Sequence, residues 1–451
     1  MTQDVNAKDI STKDINAKDI DAKGLRISRR HTLTLMGGAA VSVAMPSVVR
    51  AQAAEIQVHY SMPAIFKDAQ DAVMAAFLAK HPEVKASYLN PTPTYEDGAQ
   101  LLLRNAATNS MPDVSFQGLN RLRMFAERGV AVDLAPLLAK EGDLAKLGYS
   151  PAILGLGFHA KMQCGLPFAT SNPISYYNAT LLKRAGLDPA KFPTTWDQVI
   201  ADAQKVRALG DGHDGMFYRW PGDDWMFSAL LYGHGGRMLN EAETDVAFNG
   251  AEGLAALRLL DRMVRQGGMP NYAGTADLQA FAAGKLGMMF RTTAQVRSIA
   301  SSVGSNFELG TTIMPVIDAV KGRLPTGGAG AMITTKDPRK LEAAWKFVKF
   351  ATSAEGTTLM VRNTGYVPCN QLAIDDASYL ADFYKANPLF QAATKQVHLM
   401  VPWYAFPGQN SVRVTQVMVD NLARIVEQKA TPEVVLADMA TEVRRLIPRQ
   451  G

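Results

Sequence analysis

The chain of 451 residues carries 47 Lys and Arg against 42 Asp and Glu, a formal net charge of +5. Residues 1–53 hold eight of the basic and five of the acidic residues, so the rest of the chain is close to neutral, at +2. This balance removes the argument for nucleic-acid binding that the sequence pI of 9.0 suggests. The two cysteines, Cys164 and Cys369, are too few for a disulfide framework; a single bridge stays open, and two buried free thiols are favoured.

The chain begins with a charged five-residue repeat. Residues 6–25 read NAKDI-STKDI-NAKDI-DAKGL, which is too short and too charged to bury a core of its own. We therefore predict that residues 1–27 are disordered and precede an export signal. The purpose of the repeat stays open.

An export signal is predicted for residues 28–53. Arg29 and Arg30 precede an apolar run that two glycines and a proline interrupt, whereas a membrane-spanning helix needs about 20 apolar residues in succession. The run closes at Ala51 and Ala53, the small-x-small pattern that precedes a signal-peptidase cut. The prediction is a signal cleaved near Ala53 and export to the periplasm, with an uncut anchor as the alternative.

The arginine pair also bears on the route of export. With Ser28 before it, the pair resembles a twin-arginine signal, which exports proteins already folded. Arg50 beside the cut site disfavours the competing unfolded-export route. Thr32 stands where the twin-arginine motif usually has phenylalanine, so the general route is kept as the alternative.

The first segments after the signal alternate strands with helices. Strands are predicted for EIQVHYSM (55–62), VKASYL (84–89) and PDVSF (112–116). The segments between them, KDAQDAVMAAFLAKHP and EDGAQLLLRNAATNS, have apolar residues spaced as in amphipathic helices. This β-α-β-α-β order predicts a parallel sheet covered by helices, with ligand sites beyond the carboxyl ends of its strands.

The rest of the chain continues this mixture. KLGMMF (285–290) and ELGTTIMPV (308–316) are strand-like. Helices are predicted for the last 40 residues and for YYNATLLKRAGLDP, TTWDQVIADAQKVRALG, AEGLAALRLLDRMVRQGG and PRKLEAAWKFVKFATSAEG. The predicted fold class is α/β.

Motifs of catalysis are missing after the signal. No GxSxG, HExxH, GxxxxGK[ST] or CxxC occurs there. GLGFHA (155–160), GHGG (233–236) and GDGHDG (210–215) are interpreted as structural turns rather than as dinucleotide, oxyanion or metal sites. We predict a protein that is not an enzyme and holds no metal or cofactor, and keep an exported α/β hydrolase as an alternative.

One stretch resembles a known family. GLPFATSNPISYYNATLLKRAGLDPAKFPTTWDQVIADAQKV (165–205) is similar to the first interlobe crossover of solute-binding proteins of ABC importers, family 1, the maltose and glycerol-3-phosphate group. The resemblance continues in FAAGKLGMMF (281–290), GGAG (327–330) and TGYVP (364–368). It implies a two-lobe periplasmic-binding-protein-like fold of type II, each lobe a sheet flanked by helices, with the ligand cleft between them.

The same resemblance implies domain boundaries and partners. Lobe one would comprise residues 54–169 and 316–363, and lobe two residues 170–315 and 364–451. The protein would act as a monomer that delivers its ligand to the transmembrane subunits of an ABC permease, and no nucleic acid would be involved.

Eight ligand-binding residues follow from the resemblance to glycerol-3-phosphate-binding members. They are two wall tyrosines, two hydroxyl residues, a glycine at a close backbone approach, a pair of tryptophans and an anion-binding arginine, namely Tyr95, Tyr366, Ser171, Thr292, Gly328, Trp220, Trp225 and Arg413. The family acid that holds glycerol hydroxyls aligns near Leu119 or Asn120, where this chain has no carboxylate. Compared with glycerol-3-phosphate-binding members, the resemblance thus implies that this chain keeps the residues at the anionic end of the site and differs at the polyol end.

Each of these residues has a structural alternative. Arg413 is either an anion ligand at a helix start or a surface arginine. The serine and threonine are either ligands or helix caps, the aromatic residues either line the site or pack in the core, and Gly328 either approaches a ligand or permits a turn.

The predicted function is that of a periplasmic solute-binding protein of an ABC importer. The preferred ligand resembles glycerol 3-phosphate or another anionic polyol or sugar derivative, and a neutral oligosaccharide is the alternative. A sensor module that presents its ligand to a receptor is a further alternative. The affinity and the identity of the ligand stay open.

Overall fold

The computed structural model describes residues 54–315 and 317–448. The repeat, the export signal and the cleavage point predicted for residues 1–53 lie outside these residues. Among the helices of the described ranges, none is both long enough and apolar enough to cross a bilayer.

Thirteen strands run through the described residues. In chain order they are β1 (Ala54–Tyr60), β2 (Val84–Tyr88), β3 (Val114–Gly118), β4 (Phe158–His159), β5 (Met162–Gln163), β6 (Leu166–Ser171), β7 (Pro173–Asn178), β8 (Asp214–Tyr218), β9 (Leu286–Thr292), β10 (Leu309–Thr312), β11 (Leu324–Pro325), β12 (Gly327–Ile333) and β13 (Met400–Val401).

Helices follow most of these strands. They are α1 (Pro63–Lys80), α2 (Tyr95–Ala107), α3 (Leu119–Glu127), α4 (Ala135–Leu138), α5 (Pro151–Gly155), α6 (Ala179–Arg184), α7 (Trp196–Arg207), α8 (Trp225–Gly233), α9 (Ala251–Arg265), α10 (Ala276–Ala282), α11 (Val296–Val303), α12 (Pro338–Ala351), α13 (Ala354–Asn363), α14 (Gln371–Asp375), α15 (Asp382–Ala386), α16 (Gln391–Thr394), α17 (Ser411–Val426) and α18 (Pro432–Arg444).

The first sheet has the strand order β2-β1-β3-β12-β6. β1 runs parallel to β2 and β3, and β12 lies antiparallel between β3 and β6. α1 begins with Pro63, whose missing N–H costs nothing at a first helical position, and buries Phe66, Val73 and Phe77. The predicted alternation of strands and helices is confirmed in this part of the chain.

The second sheet has the strand order β10-β7-β9-β8. β8 and β9 are parallel, and β7 is antiparallel to both β9 and β10. Thr195 caps α7 by accepting a hydrogen bond from the Gln198 amide, and Trp196, the first residue of α7, packs its ring 4.8 Å from that of Phe290 on β9. This capping places a helix over the second sheet.

Few residues join the two sheets. β6 ends at Ser171 and β7 begins at Pro173, so the chain passes from the first sheet to the second across Asn172. A second passage leads from β10 of the second sheet to β12 of the first, and Val367 pairs with Thr170 beside the first passage. These passages bring the ends of both sheets together.

The lobe boundaries stay a proposal, and one contact favours a change in them. Asn370 donates hydrogen bonds to the carbonyls of Leu147 (2.8 Å) and Thr352 (3.0 Å), both on the side of the first sheet. The segment just after residue 364 therefore packs with the first sheet, although the resemblance assigns it to lobe two.

Two local features of the sequence gain an explanation. Gly328 has φ of 123°, and a Cβ at this position would lie 1.9 Å from the carbonyl oxygen of Ala169 on β6, so only glycine fits. Cys164 and Cys369 are both free and buried, and burial raises the pKa of each thiol to about 12. The favoured state of two unpaired thiols is the one observed.

Candidate functional site

A cavity of about 160 Å³ lies where the ends of the two sheets meet. The first-sheet side contributes the loop at the start of α2 and the start of β12. The second-sheet side contributes the loop between β8 and α8 and the end of β9, and Tyr366 and Trp403 complete the wall. The position matches the expected one, beyond the carboxyl ends of parallel strands.

Six of the eight sequence-predicted residues line this cavity. They come from segments far apart in the chain and are Tyr95, Ser171, Trp225, Thr292, Gly328 and Tyr366. Thr292 also caps the turn after β9, because its hydroxyl accepts from the Ala294 amide at 3.2 Å. Their contact with a ligand stays a prediction.

Two of the predicted residues lie outside the cavity lining. Trp220 is buried nearby, next in the chain to a residue that does line it. Arg413 is exposed on α17, because Val414 and Thr415 occupy the buried face of the helix and residue 413 points to the opposite side. In this structure Arg413 is the surface arginine of the structural alternative, and other arginines face the cavity.

The cavity arginines are Arg219 and Arg291, which the sequence analysis missed. Arg219 directly follows β8 and Arg291 is the penultimate residue of β9; these strands are parallel neighbours in which Tyr218 pairs with Phe290. A signal for them exists in the sequence, since both are charged residues at the ends of apolar strands. Recognising it required knowing that the two strands are adjacent.

Each cavity arginine is held by a carboxylate. Arg219 donates one hydrogen bond to each carboxylate oxygen of Asp223, with N–O distances of 3.1 and 3.2 Å. Arg291, only 6% exposed, bonds to the buried Asp277. A guanidinium has five N–H donors, so these pairs orient the arginines and leave donors for a ligand, among them the Nε of Arg291, which is buried without a partner.

Aromatic rings form another part of the cavity lining. The ring of Trp403 lies 6.4 Å from those of both Tyr95 and Trp225, measured between centroids. The indole N–H groups of both tryptophans and the Tyr95 hydroxyl are buried without a hydrogen-bond partner of good geometry, although the Tyr366 hydroxyl lies close enough to help burial raise the pKa of Tyr95. Each such unmet donor costs about 1–3 kcal/mol, which a ligand oxygen would recover.

A buried carboxylate lies between two lining residues in the chain, Asp223 and Trp225. Asp224 precedes α8, has no exposed surface, and neither of its oxygens has a side-chain or well-aligned backbone donor. Burial raises its pKa to about 7, reinforced by the negative charges of Asp223 and Glu96 and opposed by Arg121. The segment between these two residues thus holds a carboxyl group that is protonated over much of the acidic range.

We expect Asp224→Asn to be more stable than the wild type by a margin that is larger at pH 8 than at pH 5. The pKa of Asp224 lies above its ordinary value of 3.8, so the wild type loses stability as pH rises from about 4 to 7, and the variant does not. The gain of the variant over the wild type should grow by about 1–3 kcal/mol between the two pH values. Urea unfolding of the wild type and the variant at pH 5 and pH 8 measures their free energies of unfolding. A difference between the two proteins that is equal at both pH values would contradict the raised pKa of Asp224.

One serine–histidine contact occurs away from the cavity lining. His59 Nδ1 lies 3.0 Å from the Ser115 hydroxyl, and both residues are fully buried. Burial lowers the pKa of His59 to about 4.

The described residues contain no group of three or more His, Cys, Asp or Glu arranged to hold a metal ion.

A cleft between two α/β sheets, walled by aromatic rings and arginines, is typical of a two-lobed binding protein. Residues 72–392 match the family described as "Bacterial extracellular solute-binding protein", and the chain belongs to this family. The predicted family membership is confirmed, and a family of extracellular proteins implies an exported protein.

Two curated relatives illustrate the range of the family. A putative binding protein of Brucella abortus (strain 2308) is 24% identical over 396 residues, which cover 84% of this chain and 90% of the relative. The sn-glycerol-3-phosphate-binding periplasmic protein UgpB of Escherichia coli (strain K12) is 28% identical over 293 residues, or 61% of this chain and 65% of the relative.

Solved structures share the fold. UgpB from Mycobacterium tuberculosis in complex with glycerophosphocholine superposes with a TM-score of 0.78 at 22% identity, covering 87% of this chain and 98% of the other. The cyclic α-maltosyl-1,6-maltose binding protein from Arthrobacter globiformis superposes with a TM-score of 0.72 at 22% identity over the same shares. These likenesses confirm the type II binding-protein fold that the sequence predicted.

Proposed function

We propose that the chain is the periplasmic solute-binding protein of an ABC importer and that it captures a small phosphorylated polyol, glycerol 3-phosphate or one of its diesters. The observation that carries the proposal is the pair Arg219 and Arg291 at adjacent strand ends, in a cavity that is also lined by aromatic side chains with unmet donors. Guanidinium groups bind phosphate oxygens in a two-pronged fashion, and the indole and phenol donors suit ester and hydroxyl oxygens.

Size and charge favour this ligand over a neutral oligosaccharide. The cavity of about 160 Å³ is small beside the 300–1,000 Å³ of pockets for drug-sized ligands. Neutral sugars use aromatic faces but have no need of two arginines that line the cavity. Proteins named for an oligosaccharide and proteins named for a glycerophosphate ligand share this fold, so the fold does not distinguish the two classes of ligand. The choice between them therefore rests on the two arginines of the cavity.

Ligand capture is proposed to close the cleft. Tyr95 and Glu96 face the cavity from the first-sheet side, and Arg219 and Arg291 face it from the second. A ligand that touches both sides favours the closed state by the difference between its affinities for the closed and open forms. The closed form is then the one recognised by the permease subunits, after export directed by the signal at residues 28–53.

A ligand screen tests the proposal. Glycerol 3-phosphate and glycerophosphocholine should raise the melting temperature of the purified protein, because a ligand at 100 times its Kd adds about 2.7 kcal/mol of stability. Maltose and maltotriose should have no effect at the same concentrations. A rise with the neutral sugars alone would contradict the phosphate assignment, and release of glycerol or phosphate during incubation would support the hydrolase alternative.

A further inference from the structure

A second chamber adjoins the cavity. This outer chamber has a volume of about 430 Å³, and Trp403 lines both spaces. Arg123, His159, Lys321 and Arg323 are among the residues that line the outer chamber. A ligand anchored at the inner arginines and long enough to pass Trp403 would reach this space.

The outer chamber is basic. Four Lys or Arg side chains line it, namely Arg123, Arg237, Lys321 and Arg323. Arg123 is paired with Glu243 through N–O distances of 2.6 and 2.7 Å, and Arg237 is 3.2 Å from Glu241 at the surface. No carboxylate of the described residues forms an ion pair with Lys321 or Arg323, the remaining two.

The two remaining cations are held at the chamber by backbone contacts. The guanidinium of Arg323 donates to the carbonyls of Val320 and Gly322, at 3.1 and 2.8 Å, and its backbone N–H donates to the Tyr232 carbonyl at 3.0 Å. Lys321 follows a turn in which the Asp318 carboxylate accepts its amide hydrogen, at 2.8 Å, rather than its ammonium group. Both positive charges therefore stay available for a ligand.

The GHGG segment has a structural part in this arrangement. Gly235 has φ of 79°, and a Cβ there would lie 3.1 Å from the Cβ of Lys321. A larger residue would strain the turn and push the 321–323 segment away. Glycine at this position thus allows the two cations to approach the chamber.

We propose that the outer chamber is a subsite for a second anionic group, so that the preferred ligand is a glycerophosphodiester whose head group carries a further negative charge. This inference rests on the proposed function, which supplies the inner phosphate. Lys321 and Arg323 attract the head group, Trp403 packs along the linker, and the chamber disfavours a cationic head such as choline.

Titration calorimetry with three head groups tests the subsite. Glycerophosphoinositol 4-phosphate should bind more tightly than glycerophosphoinositol, and glycerophosphocholine should bind most weakly, with steps of about fivefold at low ionic strength. The double variant Lys321→Gln, Arg323→Gln should abolish these differences and leave glycerol 3-phosphate binding unchanged. Lys146→Gln, an exposed lysine with 83% of its side chain accessible, serves as the control and should change nothing.

The outcomes separate the subsite from the proposed function. If glycerol 3-phosphate binds but glycerophosphocholine is the tightest diester, or if the double variant keeps the wild-type order, the subsite is refuted and the proposed function stands. If glycerol 3-phosphate and all three diesters fail to bind, the proposed function itself is refuted.

Discussion

Replacing Arg219 with glutamine is expected to weaken binding of glycerol 3-phosphate by about 100-fold. The change removes a guanidinium that faces the cavity and leaves Asp223, its partner at 3.1 and 3.2 Å, as an unpaired negative charge beside the bound phosphate. Lost attraction and new repulsion act in the same direction. Isothermal titration calorimetry measures the loss, and an unchanged melting temperature of the unliganded variant shows that the fold is intact.

Arg413→Gln is the matched control for this prediction. The sequence alone nominates Arg413 as the anion-binding residue, whereas the structure places it on the exposed face of α17. We expect this variant to change the Kd by less than about twofold. If Arg413→Gln weakened glycerol 3-phosphate binding and Arg219→Gln left it unchanged, the anion site would lie outside the cavity described above.

Asp277→Asn is expected to destabilise the protein by about 3–5 kcal/mol, because it leaves the charge of Arg291 buried without its partner. Asp277 is 2% exposed and Arg291 6%, and desolvation already lowers the pKa of Arg291. Urea unfolding followed by tryptophan fluorescence measures the free energy of unfolding. Because Asp277 also orients Arg291 at the cavity, the folded fraction of the variant should bind phosphate ligands more weakly.

A surface pair of the same chemistry provides the comparison. Glu241 and Arg237 form an ion pair in which 90% and 62% of the side chains are exposed. Glu241→Gln should cost less than about 1 kcal/mol, since solvent already screens both charges. A loss of similar size in Asp277→Asn would mean that the buried pair is not what holds Arg291 in place.

The fold class followed from local patterns in the sequence. Periodicity alone placed strands and helices in the order β1, α1, β2, α2, β3, and the segment at 165–205 identified the family to which the chain belongs. Six predicted site residues lie together at one cavity because the motifs that carry them sit at strand ends and crossovers, positions that the topology fixes.

The electrostatics of the site did not follow from local patterns. Arg219 and Arg291 are 72 positions apart and meet only because β8 and β9 pair in parallel with Tyr218 opposite Phe290. Trp403 reaches the cavity from a segment without a regular pattern, and the orientation of α17 turns Arg413 outward.

The sequence by itself determined the alternating α/β architecture, the family and the segments that surround the cleft. Hydrophobic periodicity and short motifs are local properties, so they can be recognised without the fold. Only the tertiary structure decided which charged and aromatic side chains share the cavity and which are exposed. That choice depends on strand order, register and the rotation of each helix, which arise from contacts between residues distant in the chain.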